Sequence, residues 1–147
     1  MRSVERWRAR GETIEAMLLL ALARLLVARV PLGRWRASLG EAVAPIAGAA
    51  LLRLDVNAGP RQLAGAVARA AARLPGESLC LPRAMALHWL LRRRGLGSEL
   101  QIGVRPHQAR GGIGDLHAWV VRDGEVLIGA TGEPHHPIFA ARTRTGK

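Results

Sequence analysis

The sequence is short of several things, and each shortage excludes something. It holds one cysteine, Cys80, in 147 residues. A lone cysteine forms no intrachain disulfide and no cysteine-rich zinc site, so any chemistry of Cys80 is that of a single thiol. Aromatic residues are scarce, with four Trp, one Phe and no Tyr, which leaves little to stack on nucleic-acid bases. Lysine occurs once, at Lys147, so arginine supplies nearly all of the 22 basic residues. Long hydrophobic runs are missing too. The longest near the N-terminus is Ala16 to Ala23, bounded by Glu15 and Arg24, against the roughly 18–20 apolar residues that span a bilayer. The stretch before it, MRSVERWRARGETIE, mixes acids with bases, unlike the start of a signal peptide. The expected location is cytoplasmic.

What is present suffices for one domain. A length of 147 residues with 49% hydrophobic residues supports a single core. The 22 basic residues exceed the 11 acidic ones, for a net charge of +11. The arginines are dispersed along the chain, in Arg2–Arg10, Arg34–Arg36, Arg92–Arg94 and Arg142–Arg144. Without interleaved aromatics or a known motif they point away from nucleic acid and towards a surface for an acidic peptide or partner protein.

Periodicity organises the chain as helices followed by strands. Residues 1–10 read as a basic, frayed end. Residues 12–29 read as a helix stopped by Pro31, apolar on nearly every face around Leu18–Leu22, which suits a core helix better than one lying on a membrane or partner. The segment 34–54, broken by Gly40, Pro45 and Gly48, reads as one or two short helices, and DVNAGP at 55–60 as a turn. Residues 61–73 form an amphipathic helix. A further helix is predicted over 81–94, with Pro82 in its first turn and Arg92–Arg94 then Gly95 at its end. The period then changes. Residues 99–104 and 116–121 read as strands, Arg122–Glu125 as an Asp-Gly hairpin turn, and 126–130 as a third strand, followed by a basic tail containing Pro134 and Pro137. The predicted class is α+β: an N-terminal helical region over 1–55, then a core over 56–147 in which a helix packs on a small antiparallel sheet, together one compact domain.

The candidate chemistry lies at the start of the 81–94 helix. A helix N-terminus carries unpaired N–H groups and partial positive charge. Thiols placed there generally ionise more readily, and the same N–H groups can hold an oxyanion. A thiol nucleophile also needs a base. His88 lies eight residues along the same helix, about 12 Å away at helical rise. His107 falls in the Gly-rich loop 105–115, and His135 and His136 sit beside prolines in the tail. His117, on the strand that must face the helix, is the best candidate. Trp119 shares its face and would wall the cleft. The histidine spacing fits no standard metal site, so neither metal nor cofactor is expected.

The segment SLCLPRAMALHWLLRRRGLGSELQIGV, followed after the Gly-rich loop by HAWVVRDGEVLIG, resembles the transglutaminase-like leader peptidases of lasso-peptide biosynthesis. These are cysteine-protease-type proteins related in fold to the transglutaminase and papain superfamilies. The resemblance covers about residues 60–130. It implies a cytoplasmic hydrolase in which Cys80 is the nucleophile and His117 the base. The reaction would remove the leader of a ribosomally made precursor peptide before a macrolactam cyclase acts. At this length the expected partners are that precursor, a separate leader-recognition protein and the cyclase.

One position departs from the family pattern. Such sites place a carboxylate on the strand about a dozen residues after the histidine, and here Gly129 stands there. Asp123 and Glu125, at the far end of the hairpin, are poorly placed to orient His117. Asp115 and Glu133 are the candidate orienting acids, and a backbone carbonyl or Gln101 are the other ways to hold the imidazole. The competing functional class is a non-catalytic helical scaffold that binds a peptide or partner and keeps Cys80 buried.

Overall fold

The structure is a computed structural model, and it describes residues 1–45, 58–77, 79–104, 116–130 and 135–146. The chain opens with a 28-residue helix, α1 (Arg2–Arg29). A short helix α2 (Leu32–Trp35), a 3-10 turn (Arg36–Leu39) and a strand β1 (Glu41–Val43) follow. Helices α3 (Ala58–Arg73) and α4 (Cys80–Arg93) precede strands β2 (Ser98–Val104), β3 (Leu116–Arg122), β4 (Glu125–Ile128) and β5 (His136–Thr143). The strands form one antiparallel sheet in the order β1-β5-β2-β3-β4. The α+β class is as expected.

Helix α4 is the centre of the fold. Every residue from Ala84 to Leu91 is buried, because α1 and α3 cover one side and β2 and β3 the other. Its apolar and small residues therefore need no polar stripe. The helix ends at Arg93, one residue before the expected end, and is closed by Gly95, whose φ of +69° lets the Leu96 amide bond back to the Leu91 carbonyl at 3.0 Å. Helix α3 buries Leu63, Ala66, Val67 and Ala70, at the i, i+3, i+4 and i+7 spacing of one face.

His88, inside α4, is fully buried and fully paired. Its Nε2 lies 2.7 Å from the Leu39 carbonyl and its Nδ1 2.8 Å from Ser98 Oγ. A carbonyl only accepts, so Nε2 carries the proton and Nδ1 accepts from the serine hydroxyl. Burial in this place pushes the imidazole below its ordinary range. His88 thus ties the 3-10 turn to α4 and to the start of β2.

The structure departs from the sequence reading in three places. Residues 1–10 are not frayed: α1 starts at Arg2, where Arg, Glu and Ala are good helix formers. The region 34–54 yields a strand, β1, beside its short helices. The tail forms β5, which pairs with both β1 and β2. Pro137 hid that strand, yet it sits in the strand's first residues beside a bulge, where a missing N–H is tolerated. The hairpin is as read: Asp123 and Gly124 both take positive φ, at 49° and 78°, as a two-residue turn of right-handed strands requires.

Candidate active site

Helix α4 begins at Cys80 itself, one residue before the expected start. Leu79 is extended and provides no side-chain cap. Pro82 has no N–H, and the Arg83 amide bonds back to the Leu79 carbonyl at 3.3 Å. The N–H donors left without an intrahelical acceptor at this end are those of Cys80 and Leu81. The half-buried Cys80 thiol points at the start of β3, where its Sγ lies 3.8 Å from the Leu116 carbonyl oxygen. The next residue along β3 is His117.

His117 is held from one side of its ring. Its Nε2 lies 2.5 Å from the backbone carbonyl oxygen of Gly129. The carbonyl can only accept, so Nε2 donates, and in the neutral ring this leaves Nδ1 with its lone pair, the form a general base needs. Gly129 is the position at which the family pattern expects a carboxylate, and the main chain supplies the acceptor instead. Its φ of +83° and the space around it fit glycine alone, since a Cβ there would lie 2.5 Å from the Ala118 carbonyl oxygen.

Strand alternation separates two faces of β3. Ala118 and Val120 are buried towards α4, whereas His117 and Trp119 share the other face, with ring centroids 5.9 Å apart and planes 20° apart. The Trp119 indole therefore stacks beside the imidazole. The β4 strand pairs with β3 over Val120–Arg122, so among the described residues the first half of β3, which carries His117, has no strand partner on that side.

Cys80, at the start of α4, thus meets the backbone of the β3 residue that precedes His117, whereas the His117 ring lies on the face of β3 turned away from α4. Among the described residues no hydrogen bond joins Sγ to the imidazole; the thiol faces Leu116 instead. Gln101 does not hold the ring, because its amide donates to Glu99 Oε1 at 2.6 Å. Asp115 and Glu133, the two candidate orienting acids, lie outside the described residues, as does the loop 105–115. Among the described residues no group of three or more His, Cys, Asp or Glu is arranged to hold a metal.

One residue of the site was not foreseen. The His135 ring lies 4.8 Å from that of His117 and 6.0 Å from that of Trp119, closing a triangle of three rings. Its position depends on β5, which the prolines concealed. The alternation of Phe139 with exposed Ile138 was the only cue that a strand, and so a packed histidine, stood there.

Comparison with known families decides the kinship of this arrangement. Residues 17–139 match the family model described as the transglutaminase-like superfamily. The chain belongs to the transglutaminase-like superfamily. No curated protein and no solved structure matches it. The transglutaminase-like match starts within α1, runs through α4 and the sheet, and takes in Cys80, His117, Gly129 and His135. The superfamily kinship extends over the helices as well as the sheet.

Proposed function

We propose that this protein is a cysteine peptidase that removes the leader from a ribosomally made lasso precursor peptide before macrolactam closure. A separate protein presents the leader. The observation that carries the reading is the placement of the single thiol at the first residue of α4, one residue along β3 from an imidazole whose Nε2 is tied to a carbonyl. Membership of the superfamily supports the cysteine chemistry.

In this mechanism the Cys80 thiol at the start of α4 and the His117 ring on the outer face meet around the end of β3 when substrate is bound, and His117 Nδ1 takes the thiol proton. Catalytic contacts commonly tighten only when substrate is bound. The thiolate attacks the carbonyl carbon at the leader–core junction, and the N–H groups of Cys80 and Leu81 hold the oxyanion. The imidazolium returns its proton to the leaving amine, which frees the core peptide. Water, deprotonated by His117, then hydrolyses the thioester and releases the leader with a new carboxylate. The Gly129 carbonyl keeps the ring oriented throughout and stabilises the imidazolium through its accepted N–H bond.

The test is mass-spectrometric detection of leader cleavage from the precursor in the presence of its recognition partner. Wild-type protein should cleave at one junction and Cys80→Ala should leave the precursor intact. Cleavage by Cys80→Ala at the wild-type rate would overturn the assignment.

A further inference from the structure

Helix α1 has two apolar faces, and the fold uses one of them. Thr13, Ala16, Leu20 and Ala23 are buried against the body of the protein. On the opposite side Val4, Trp7, Ile14, Leu18, Leu22 and Leu25 are exposed, between 45% for Leu22 and 71% for Trp7. With Gly11 between Trp7 and Ile14 the steps are 3, 4, 3, 4, 4 and 3, which draws one narrow line along the helix, a coiled-coil-like seam with one added four-residue step at Leu18–Leu22. The line from Val4 to Leu25 is about 32 Å long at helical rise. Gly11 falls on the same line, and nothing lies within 4 Å of where its Cβ would be. A glycine inside an exposed helix costs about 1 kcal/mol relative to alanine, and here it leaves a notch in the seam between Trp7 and Ile14 that a large side chain of a partner can fill.

The width and the rim of the line identify its occupant. A line of this width is narrower than the broad apolar face with which a helix lies in a bilayer surface. Its first three turns are rimmed by Arg2, Arg6, Arg8 and Arg10, and none of these forms an ion pair among the described residues. Arg10 instead lies 5.6 Å over the Trp7 ring. Glu15, the acid nearest the middle of the line, is already committed to Arg93 and Arg94 of α4 at 2.7 Å each. A second copy of this chain, with its net charge of +11, would bring arginine rim against arginine rim. We infer that the outward face of α1 is a docking surface for an amphipathic helix of a partner protein, with apolar residues at heptad spacing and acidic residues on its flanks. This inference does not use the Cys80 site and stands or falls separately from the peptidase reading.

The experiment uses the full chain and two synthetic helical peptides, each about three heptads long to match the seam. Both carry leucine at the seam positions, one with glutamate and one with lysine on the flanks. The readout is the emission of Trp7, assigned by its loss in Trp7→Phe, together with sedimentation. The glutamate-flanked peptide should bind, shift the emission to the blue and lose affinity as salt rises. Leu18→Asp and Leu25→Asp should each weaken that binding by about tenfold or more. Both variants should melt as the wild type does, because the replaced side chains are exposed. Three outcomes would overturn the inference: no binding of the glutamate-flanked peptide, equal binding of the lysine-flanked one, or binding that survives both aspartate variants. Self-association of the protein, or its binding to phosphatidylglycerol vesicles, that the same variants abolish would also overturn it, by naming a second copy or a membrane as the occupant.

Discussion

His117 Nε2 donates to the carbonyl oxygen of Gly129 at 2.5 Å, twelve residues along the chain. The bond crosses the place where β4 stops pairing with β3. Among the described residues the acceptor that sets the tautomer of the imidazole is this main-chain carbonyl and not a carboxylate. Restoring a side chain at that position should therefore do harm. Gly129→Ala and Gly129→Asp must hold a positive φ and crowd the Ala118 carbonyl. The left-handed conformation alone costs about 1–2 kcal/mol for a residue with a Cβ. Both variants should melt at lower temperature than the wild type, and the aspartate should not raise peptidase activity. A Gly129→Asp protein of full stability and higher activity would mean that the backbone there is freer than the structure shows.

The role of His117 towards the thiol can be read without any substrate. If Nδ1 assists ionisation of Cys80, alkylation of the wild-type protein by iodoacetamide should outpace that of free cysteine near neutral pH. His117→Ala should slow it about tenfold or more, in keeping with the usual contribution of a positioned base. Cys80 is the single cysteine, so the mass gain reports on it alone. Equal rates for wild type and His117→Ala would separate the two residues chemically, although Cys80 lies against the start of the strand that carries His117.

Much of this arrangement was legible in the sequence. The helix start at Cys80 was marked by Pro82 and by the helical spacing of Leu81, Met85 and His88. The β2, β3 and β4 strands were marked by alternation and by Asp123-Gly124. Three features were hidden for definite reasons. The β5 strand carries a proline and two alanines, residues depleted in strands, and it is specified by pairing with β2 and not by propensity. His135 was hidden along with it. The acceptor for His117 is a carbonyl, which every residue possesses, so no residue type could announce which one would serve. Helix α1 shows a different limit. Apolar residues all round its middle imply burial, and the fold buries only the face of Ala16, Leu20 and Ala23.

His88 gives the fold a pH dependence whose direction is fixed by its burial. Unfolded, its imidazole has the ordinary value of 6.5, and in the folded protein burial first of all, with Arg92 adding, lowers it. Above 6.5 both states are neutral and the stability is whole. Between 6.5 and the lower folded value the unfolded chain binds a proton that the folded chain does not. Stability therefore falls as the pH falls through that window, by about 1.4 kcal/mol per unit at most. Glu15 acts in a lower window: its carboxylate is held below 4.5, chiefly by the hydrogen bond from Arg94. Its contribution is complete above 4.5 and is lost as the pH falls through the lowered value. Chemical denaturation of the wild type should show the first decline beginning near 6.5, and His88→Gln, although less stable, should be flat there. Ser98→Ala, which removes the hydroxyl bonded to Nδ1, should cost about 1–3 kcal/mol.

Gly103 tests whether Trp119 walls the site as the structure places it. On β2, Gly103 pairs with His117. A Cβ there would lie 2.7 Å from Trp119 Cη2 and 2.5 Å from the His136 carbonyl oxygen. The indole therefore lies across the one position of β2 that has no side chain, and in doing so it stacks on His117. Gly103→Ala must push either the indole or β5 away. Overpacking of this kind usually costs about 1–3 kcal/mol. The variant should melt earlier, and quenching by acrylamide should reach Trp119 more easily, with Trp119→Phe used to assign the signal. Its Cys80 should also be alkylated at a changed rate, because the ring that walls His117 has shifted. A Gly103→Ala protein with wild-type melting, quenching and alkylation would show that Trp119 does not rest over Gly103 and that the wall of the cleft lies elsewhere.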